Sequence, residues 1–331
     1  MSENIIGLGL ESSCDETAAA IIENGKKICS NIISSQIETH KEYNGVVPEI
    51  ASRAHLETIN SLIHKSFEEA GVSFSDINYV AVTHKPGLIG SLLIALQSAK
   101  AISYVKGIPL IGINHLEAHL YAPFLEKNNI AFPYIGLLIS GGNTALYIVK
   151  GIGKMELLGK TVDDAVGEAY DKVSKFLNLG YPGGPVIESL ANKATIKKLR
   201  FPKILADSHD YRFSYSGIKT AVINYIKQNP EADVHEIAYA FQERALEVLT
   251  RKVFQASRSY NINRIVIAGG VAANGRLRVL FERKKKDNEE VIIPSPILCT
   301  DNAAMIGGLG YHYYKRKSFH DFSLDVYPKI S

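Results

Sequence analysis

The chain lacks what would tie it to an oxidising compartment or a membrane. It has three cysteines, Cys14, Cys29 and Cys299. The count is odd and no two form a CxxC pair, which argues against a disulfide framework and fits a reducing compartment. No apolar run is long enough to span a bilayer. The start, Met1-Ser2-Glu3-Asn4, has neither the basic patch nor the apolar core of a signal peptide. The expectation is a cytoplasmic protein with no membrane partner. There is no low-complexity segment and no flexible interdomain linker. Two common phosphate-binding fingerprints are also missing: GxGxxG with its following acid, and GxxxxGK[ST]. A formal net charge of +3 tolerates a polyanionic partner without requiring one.

With 46% hydrophobic and 21% charged residues the composition is that of an ordinary globular protein. A length of 331 residues suggests two domains. Strand-like stretches fall at 5–10, 18–23 and 26–34, with Asn24-Gly25 as a hairpin signal. A loop at 39–48 leads to helical periodicity over 48–71. A strand at 79–83, a helix at 89–105 and a strand at 108–113 complete the first half. The order then starts again: strands at 134–140, 145–150 and 154–161, and a helix at 166–177. An irregular Gly-, Pro- and Tyr-rich segment covers 180–216. Helices follow at 218–225 and 233–260, a strand at 264–268, a helix at 274–286, a strand at 290–293 and a last helix at 301–315. Two βββ-then-α/β halves predict a duplicated α/β fold. Its boundaries are expected at 1–125 and 130–302, with an insertion at about 178–232, and the C-terminal segment 303–331 is free to pack back on the first lobe. In each half a polar turn joins the first two strands, Glu11–Thr17 and Ser140–Thr144, and both turns are expected to face one interlobe cleft.

The most chemically loaded stretch is Asn114-His115-Leu116-Glu117-Ala118-His119. Asn114 stands where a helix N-cap belongs, and Pro123 ends or kinks the helix. His115 and His119 then lie one turn apart on one face, where two imidazoles can share a metal ion. Taken alone, such a pair is more often two polar residues at a helix start. Asp301, in Cys299-Thr300-Asp301-Asn302, is either an N-cap or the third ligand. Two histidines and one carboxylate with open positions suit Fe2+, with Zn2+ or Mn2+ as competitors. The zinc-peptidase motif puts Glu directly after the first His. Here Glu117 comes two positions later, about 200° round the helix, which argues against a peptidase.

Other motifs point to a nucleotide-like ligand. Ser140-Gly141-Gly142-Asn143-Thr144 is a plain tight turn or a cradle for phosphate. Gly269-Gly270 sits at a strand-to-helix turn, and Asn274 after it is an N-cap or a contact to a ligand hydroxyl. In Asp163–Lys172, acids at a helix start explain Asp163 and Asp164. Asp171 lies deeper, before Gly183-Gly184, and suits ribose hydroxyls with help from Glu188. The run Arg283–Lys286 reads as the basic end of a helix.

Together with Gly45-Val46-Val47-Pro48-Glu49 and Tyr181-Pro182-Gly183-Gly184-Pro185, these motifs occur in an order that resembles the tRNA N6-adenosine threonylcarbamoyltransferase family, called TsaD in bacteria, over nearly the whole chain. The loop from Ser35 to Glu49 resembles the bacterial branch. One departure is Gly275-Arg276, where two basic residues are expected after Asn274. The resemblance implies a duplicated actin-like fold (the ASKHA superfamily, ribonuclease H-like), two-lobed with an interlobe cleft. It implies transfer of threonylcarbamoyl from threonylcarbamoyl-AMP to N6 of adenosine 37 in tRNAs reading ANN codons, with release of AMP. His115, His119 and Asp301 would carry one metal, usually taken as iron. Leu138, Ile139, Ser140, Gly141, Gly142, Asp171, Gly184, Glu188 and Asn274 would hold the adenylate. Expected partners are a TsaB-type paralogue and a TsaE-type ATPase, with TsaC making the intermediate. Asp15 or Glu16 could orient or deprotonate the amine. Lys197, Lys198, Arg276 and Arg283 could meet tRNA phosphates, though each alone is better explained as a solvated surface residue. The competing readings are a small-molecule kinase of the same superfamily, a non-catalytic scaffold and, less well supported, a metallopeptidase.

Overall fold

A computed structural model describes residues 4–203 and 210–329. The chain divides into two compact units, Met1–Ile130 with Thr300–Ser331, and Ala131–Cys299.

The first unit opens with β1 (Ile6–Glu11), β2 (Glu16–Glu23) and β3 (Lys27–Ser35). Asn24 and Gly25 both take positive φ, 53° and 72°, so the hairpin signal becomes a two-residue turn whose twist suits the strands it joins. A short helix α1 (Ile37–Lys41) occupies part of the stretch read as loop. Next come α2 (Pro48–Ala70), β4 (Tyr79–Lys85), α3 (Ile89–Lys106), β5 (Leu110–Asn114) and α4 (His115–Tyr121). The sheet order is β3-β2-β1-β4-β5, with β1, β4 and β5 parallel and β2 antiparallel to β1 and β3. β1 and β4 read as nearly unbroken apolar runs because both faces of the sheet are covered. The last long helix, at Ala303–Lys315, packs against β1 so closely that a Cβ on Gly9 would stand 2.3 Å from the Ala303 carbonyl oxygen. The tail beyond it adds Leu324 and Val326 to the same core.

The second unit repeats the plan. β6 (Tyr134–Ile139), β7 (Thr144–Gly151) and β8 (Lys154–Lys160) form the meander. Helices α5 (Val166–Phe176), α6 (Gly183–Asn192), α7 (Ser216–Gln228) and α8 (Val234–Ser259) precede β9 (Arg264–Ala268), α9 (Gly275–Lys284), β10 (Glu290–Ile292) and α10 (Pro296–Cys299). The helix at Ala303–Lys315 is α11. The sheet order is β10-β9-β6-β7-β8, again with three parallel strands beside an antiparallel meander. α6 lies inside the segment read as irregular. Its start, Gly183-Gly184-Pro185, looks like a turn in sequence, but proline is tolerated in a first helical turn, where its missing N–H has no partner to lose.

In both sheets the parallel strands bring their C-terminal ends to one edge. In the first unit Glu11, Thr83 and Asn114 therefore end side by side. In the second, Ile139 and Ala268 do so, and the loops after them start from that edge. Ligands of open α/β sheets bind at such edges.

Candidate active site

α4 begins where β5 ends, with Asn114 as its N-cap accepting from the Leu116 N–H at 2.9 Å. The short helix is buried along its whole length, and His115 and His119 turn inward together. His115 Nε2 and His119 Nε2 are 3.1 Å apart. Asp301 Oδ1 is 3.0 Å from His119 Nε2 and 3.5 Å from His115 Nε2. Asp301 is not the cap of α11: that role belongs to Asn302, which accepts from the Met305 N–H at 3.0 Å. The aspartate is thus left outside the helix, aimed at the histidines.

These separations test the metal reading. Ligand atoms about 2.1 Å from one ion and about 90–115° apart are separated by these distances. Two nitrogens from buried imidazoles and an oxygen from the half-buried Asp301 carboxylate, converging on one another, form a donor set that a divalent metal fits. His119 Nδ1 is buried and has no partner among the described residues.

Glu11, at the end of β1, fixes the other ring. Its Oε2 stands 3.0 Å from His115 Nδ1 and also accepts from the Thr83 hydroxyl, while Oε1 accepts from the Ser13 N–H. Ser13 Oγ lies 3.2 Å from the same Nδ1. A carboxylate on Nδ1 keeps the proton there and turns the Nε2 lone pair toward the ligand set, the usual arrangement around metal-binding histidines. Burial disfavours a charged His115, but the Asp301 and Glu11 carboxylates outweigh it and hold its pKa well above the ordinary value. Burial and the His115 charge lower that of His119. Burial would raise Glu11 and Asp301, yet His115 draws both down. A carboxylate at the end of an apolar strand was the sequence signal for Glu11, which the sequence placed only in a polar turn.

Asp15 lies in the turn between β1 and β2, and Glu16 is the first residue of β2. His55 of α2 pins this turn, with Nε2 donating to the Cys14 carbonyl at 2.9 Å and Nδ1 2.7 Å from the Thr17 hydroxyl. Burial, then the charges of Asp301 and Asp15, push Glu16 up to about 10. A carboxyl so placed donates a hydrogen bond at neutral pH; a cation held by Asp301 would offset part of the repulsion that keeps it protonated. Glu117 faces away from the two histidines' ligand atoms and accepts from the Tyr313 hydroxyl at 2.9 Å, so it is not placed as a peptidase base.

In the second unit the candidate residues form one connected set. Asp171 on α5 accepts from the Gly183 N–H at 2.7 Å and so caps α6. Glu188 on α6 accepts from the Gly275 N–H at 2.7 Å and from that of Arg276 at 3.3 Å, at the start of α9. Asn274 caps α9 through the Leu277 N–H at 2.8 Å and donates to Gln242 of α8 at 3.0 Å. Of its two sequence readings, the N-cap is the one seen. In the β6–β7 turn Ser140 Oγ accepts from the Asn143 N–H, and Thr144 Oγ1 from the Val166 N–H. Leu138 and Ile139 are buried in β6 and set the position of that turn. A Cβ added at Gly141, Gly142 or Gly184 would meet nothing within 4 Å, whereas one at Gly269 (φ +94°) would stand 2.3 Å from the Ile139 carbonyl oxygen. The first three glycines leave room; the fourth is demanded by the fold. Asp163 and Asp164 staple elements together rather than serving the helix dipole alone. Asp163 accepts from the Tyr215 N–H and the Ser214 and Ser216 hydroxyls, and Asp164 pairs with Lys172 and Lys219.

The family model described as TsaD, tRNA N6-adenosine threonylcarbamoyltransferase, matches residues 27–308. A protein of that name from Clostridioides difficile (strain 630) is 47% identical, covering 99% of this chain and 98% of its own length. Another, from Syntrophomonas wolfei, is 47% identical over 100% of this chain and 98% of its own. Among solved structures, T. kodakarensis HypF matches with a TM-score of 0.62 at 14% identity, over 95% of this chain and 48% of that one. Component A of the Acidaminococcus fermentans (R)-2-hydroxyglutaryl-CoA dehydratase matches with a TM-score of 0.57 at 16% identity, over 94% and 99%. These likenesses, with the repeated sheet order, show the duplicated actin-like fold.

Proposed function

This chain belongs to the tRNA N6-adenosine threonylcarbamoyltransferase family and is a tRNA-modifying transferase, and on that premise we propose how its residues divide the reaction. The donor is threonylcarbamoyl-AMP and the acceptor is N6 of adenosine 37 in tRNAs reading ANN codons. The exocyclic amine attacks the carbamoyl carbon, the new C–N bond replaces the C–O bond to phosphate, AMP departs, and the amine loses one proton.

His115, His119 and Asp301 hold one divalent metal, Fe2+ first on this donor set, with Zn2+ or Mn2+ as competitors. When bound, it supplies positive charge for oxygens that gain charge as the acyl group moves. Glu11 keeps His115 in the tautomer that can bind it. The Ser140–Thr144 turn takes the phosphate, and Gly141 and Gly142 leave the room for its approach. Leu138 and Ile139 set that turn, while Asp171, Gly184, Glu188 and Asn274 hold the adenosine. Asp15 orients the amine or takes its proton, and Glu16, protonated at neutral pH, orients it. The reaction needs no ATP at this step, because the acyl-adenylate already carries its leaving group. Family membership supports a TsaB-type paralogue and a TsaE-type ATPase as partners, and a cytoplasmic location. No helix among the described residues is long and apolar enough to cross a membrane.

The observation that carries this reading is the convergence of two imidazole nitrogens and one carboxylate oxygen within 3.5 Å of one another. The test is His115→Ala, assayed for bound metal and for transfer of label from threonylcarbamoyl-AMP to an ANN-decoding tRNA. Both should be lost together. Full transfer by a demonstrably metal-free variant would sink the metal's role.

A further inference from the structure

The stretch that follows α6 carries Lys193, Lys197, Lys198, Arg200 and Lys203 within eleven residues and no acid. It has no regular secondary structure, and all five cations are exposed. It is nevertheless held in place. Ala194 and Phe201 are buried, and the Phe201 carbonyl accepts from Arg244 Nε at 2.8 Å. Glu236, in the first turn of α8, accepts the backbone N–H groups of Lys198 and Leu199 at 2.9 and 2.8 Å. Arg200 folds back on the Lys197 and Leu199 carbonyls, and Lys197 lies over the Tyr239 ring, 5.0 Å from its centroid. Among the described residues no carboxylate pairs with the side chain of any of the five. Glu236, the acid against them, spends its oxygen on backbone donors. Cations held on a fixed strap without counter-charges differ from a solvated lysine run, whose side chains point wherever entropy favours.

The position of the strap matters as much as its charge. It begins five residues after Glu188, on the same helix that carries Gly184. Along α8, Gln242 bonds Asn274 and Glu236 bonds the strap. Six residues of helix separate those two contacts, about 9 Å of axial rise. An anticodon loop that presents its adenosine to an adenylate held around Asn274 would carry its neighbouring phosphates across that span within a few nucleotides. Arg276 is not available for the same task, because its guanidinium is paired with both oxygens of Glu243, at 2.5 and 2.7 Å.

We propose that the strap 193–203 is a phosphate-binding surface for the single-stranded anticodon loop of the tRNA substrate. This rests on the transferase reading and on Asn274 and Glu188 as adenylate residues. The contact is to the backbone, so it adds affinity and registers the loop without reading its sequence.

The test compares Lys197→Gln/Lys198→Gln with a control that removes two exposed cations elsewhere in the same unit, Lys154→Gln/Lys175→Gln. Arg200 is left alone because it shapes the strap. Full chains, with the paralogue and ATPase partners, are titrated with an ANN-decoding tRNA across a range of salt, and transfer kinetics are measured alongside. The strap variant should flatten the slope of log K against log salt by about 1.4–1.8. Its KM for tRNA should rise roughly tenfold, with kcat and the KM for threonylcarbamoyl-AMP unchanged, while the control should match the native chain. Equal slopes for all three proteins would overturn the proposal, and so would an equal loss in the control. Loss of partner binding with tRNA affinity intact would assign the strap to a protein contact instead. A native chain that neither binds nor modifies the tRNA would overturn the transferase reading first, and this proposal with it.

Discussion

Replacing Glu11 by Gln tests how the sheet edge prepares the metal site. The change keeps the size of the side chain and exchanges one oxygen for an NH2 donor. Glu11 now accepts from three donors, the Ser13 N–H, the Thr83 hydroxyl and the His115 ring at 3.0 Å. A glutamine has one acceptor oxygen, so one side of it must face a group that was donating. Facing Ser13, the NH2 would meet a backbone N–H that cannot reverse its role. Facing Thr83 and His115, it can be accommodated: the threonine hydroxyl can accept, and so can His115 if its proton moves from Nδ1 to Nε2. That move removes the lone pair that Nε2 would offer a metal. Loss of a partner of this kind typically lowers metal affinity 10–100-fold, about 1.4–2.7 kcal/mol. The measurement is metal affinity of Glu11→Gln by competition with a chromophoric chelator, with thermal unfolding of the metal-free protein as the check on folding. Native-like affinity in a folded Glu11→Gln protein would refute the tautomer argument. So would a loss matched by Thr83→Val, since removing that hydroxyl leaves the carboxylate on His115.

Two glycines should respond in opposite ways. Gly269→Ala, with φ +94° and a carbonyl 2.3 Å from the new Cβ, should lose at least ~2 kcal/mol of stability by urea titration; Gly184→Ala, with open space around it, should stay within about 0.5 kcal/mol of native and instead raise the KM for threonylcarbamoyl-AMP. An unchanged KM would remove Gly184 from the adenylate site. His84, buried against the C-terminal tail with Nδ1 3.2 Å from the Asp325 carbonyl, has its pKa lowered by burial to about 4. The unfolded chain binds more protons than the folded one between about pH 6.5 and pH 4, so this contribution is complete above that window and is lost as pH falls through it. The loss is at most ~3 kcal/mol and smaller where water reaches the ring. A His84→Gln protein should show a shallower fall of stability over that window, and an unaltered profile would contradict the assignment.

Much of this molecule could be read from local pattern, and what could not had a common cause. His115 and His119 were legible because a four-residue spacing on a capped helix fixes their relation before any tertiary contact forms. Asp301 was left as a choice between cap and ligand, and one residue decides it: Asn302 takes the cap. Glu11 was not legible as a partner of His115, 104 residues away, because only the parallel pairing of β1, β4 and β5 puts their ends together. The helix α6 was hidden by Gly183-Gly184-Pro185, whose turn-like composition is resolved by a distant carboxylate, Asp171, capping the first turn. Asp163 and Asp164 were explained by the dipole of the helix they precede, yet their hydrogen bonds run to Ser214, Tyr215, Ser216 and Lys219, on a segment that propensity cannot place beside them.

The duplication shows why one frame can serve two kinds of chemistry. Both sheets direct three parallel strand ends to one edge, and what differs is the residue type that the sequence sets there. In the first unit the ends deliver Glu11, Thr83 and, through α4, two histidines: groups that converge on positive charge and leave little open space. In the second unit β6 and β9 run into glycine-rich turns, at Gly141-Gly142 and Gly269-Gly270, where backbone N–H groups and the open space at Gly141, Gly142 and Gly270 favour an anion or a flat ring. Exchanging the two sets would fail for a physical reason on each side. Buried carboxylates would repel a phosphate, and a glycine turn offers a cation no ligand beyond its carbonyls. On the assignment proposed above, the division between a cation-binding and an anion-binding unit is written at the strand ends, while the order of the sheets that carry them is the same.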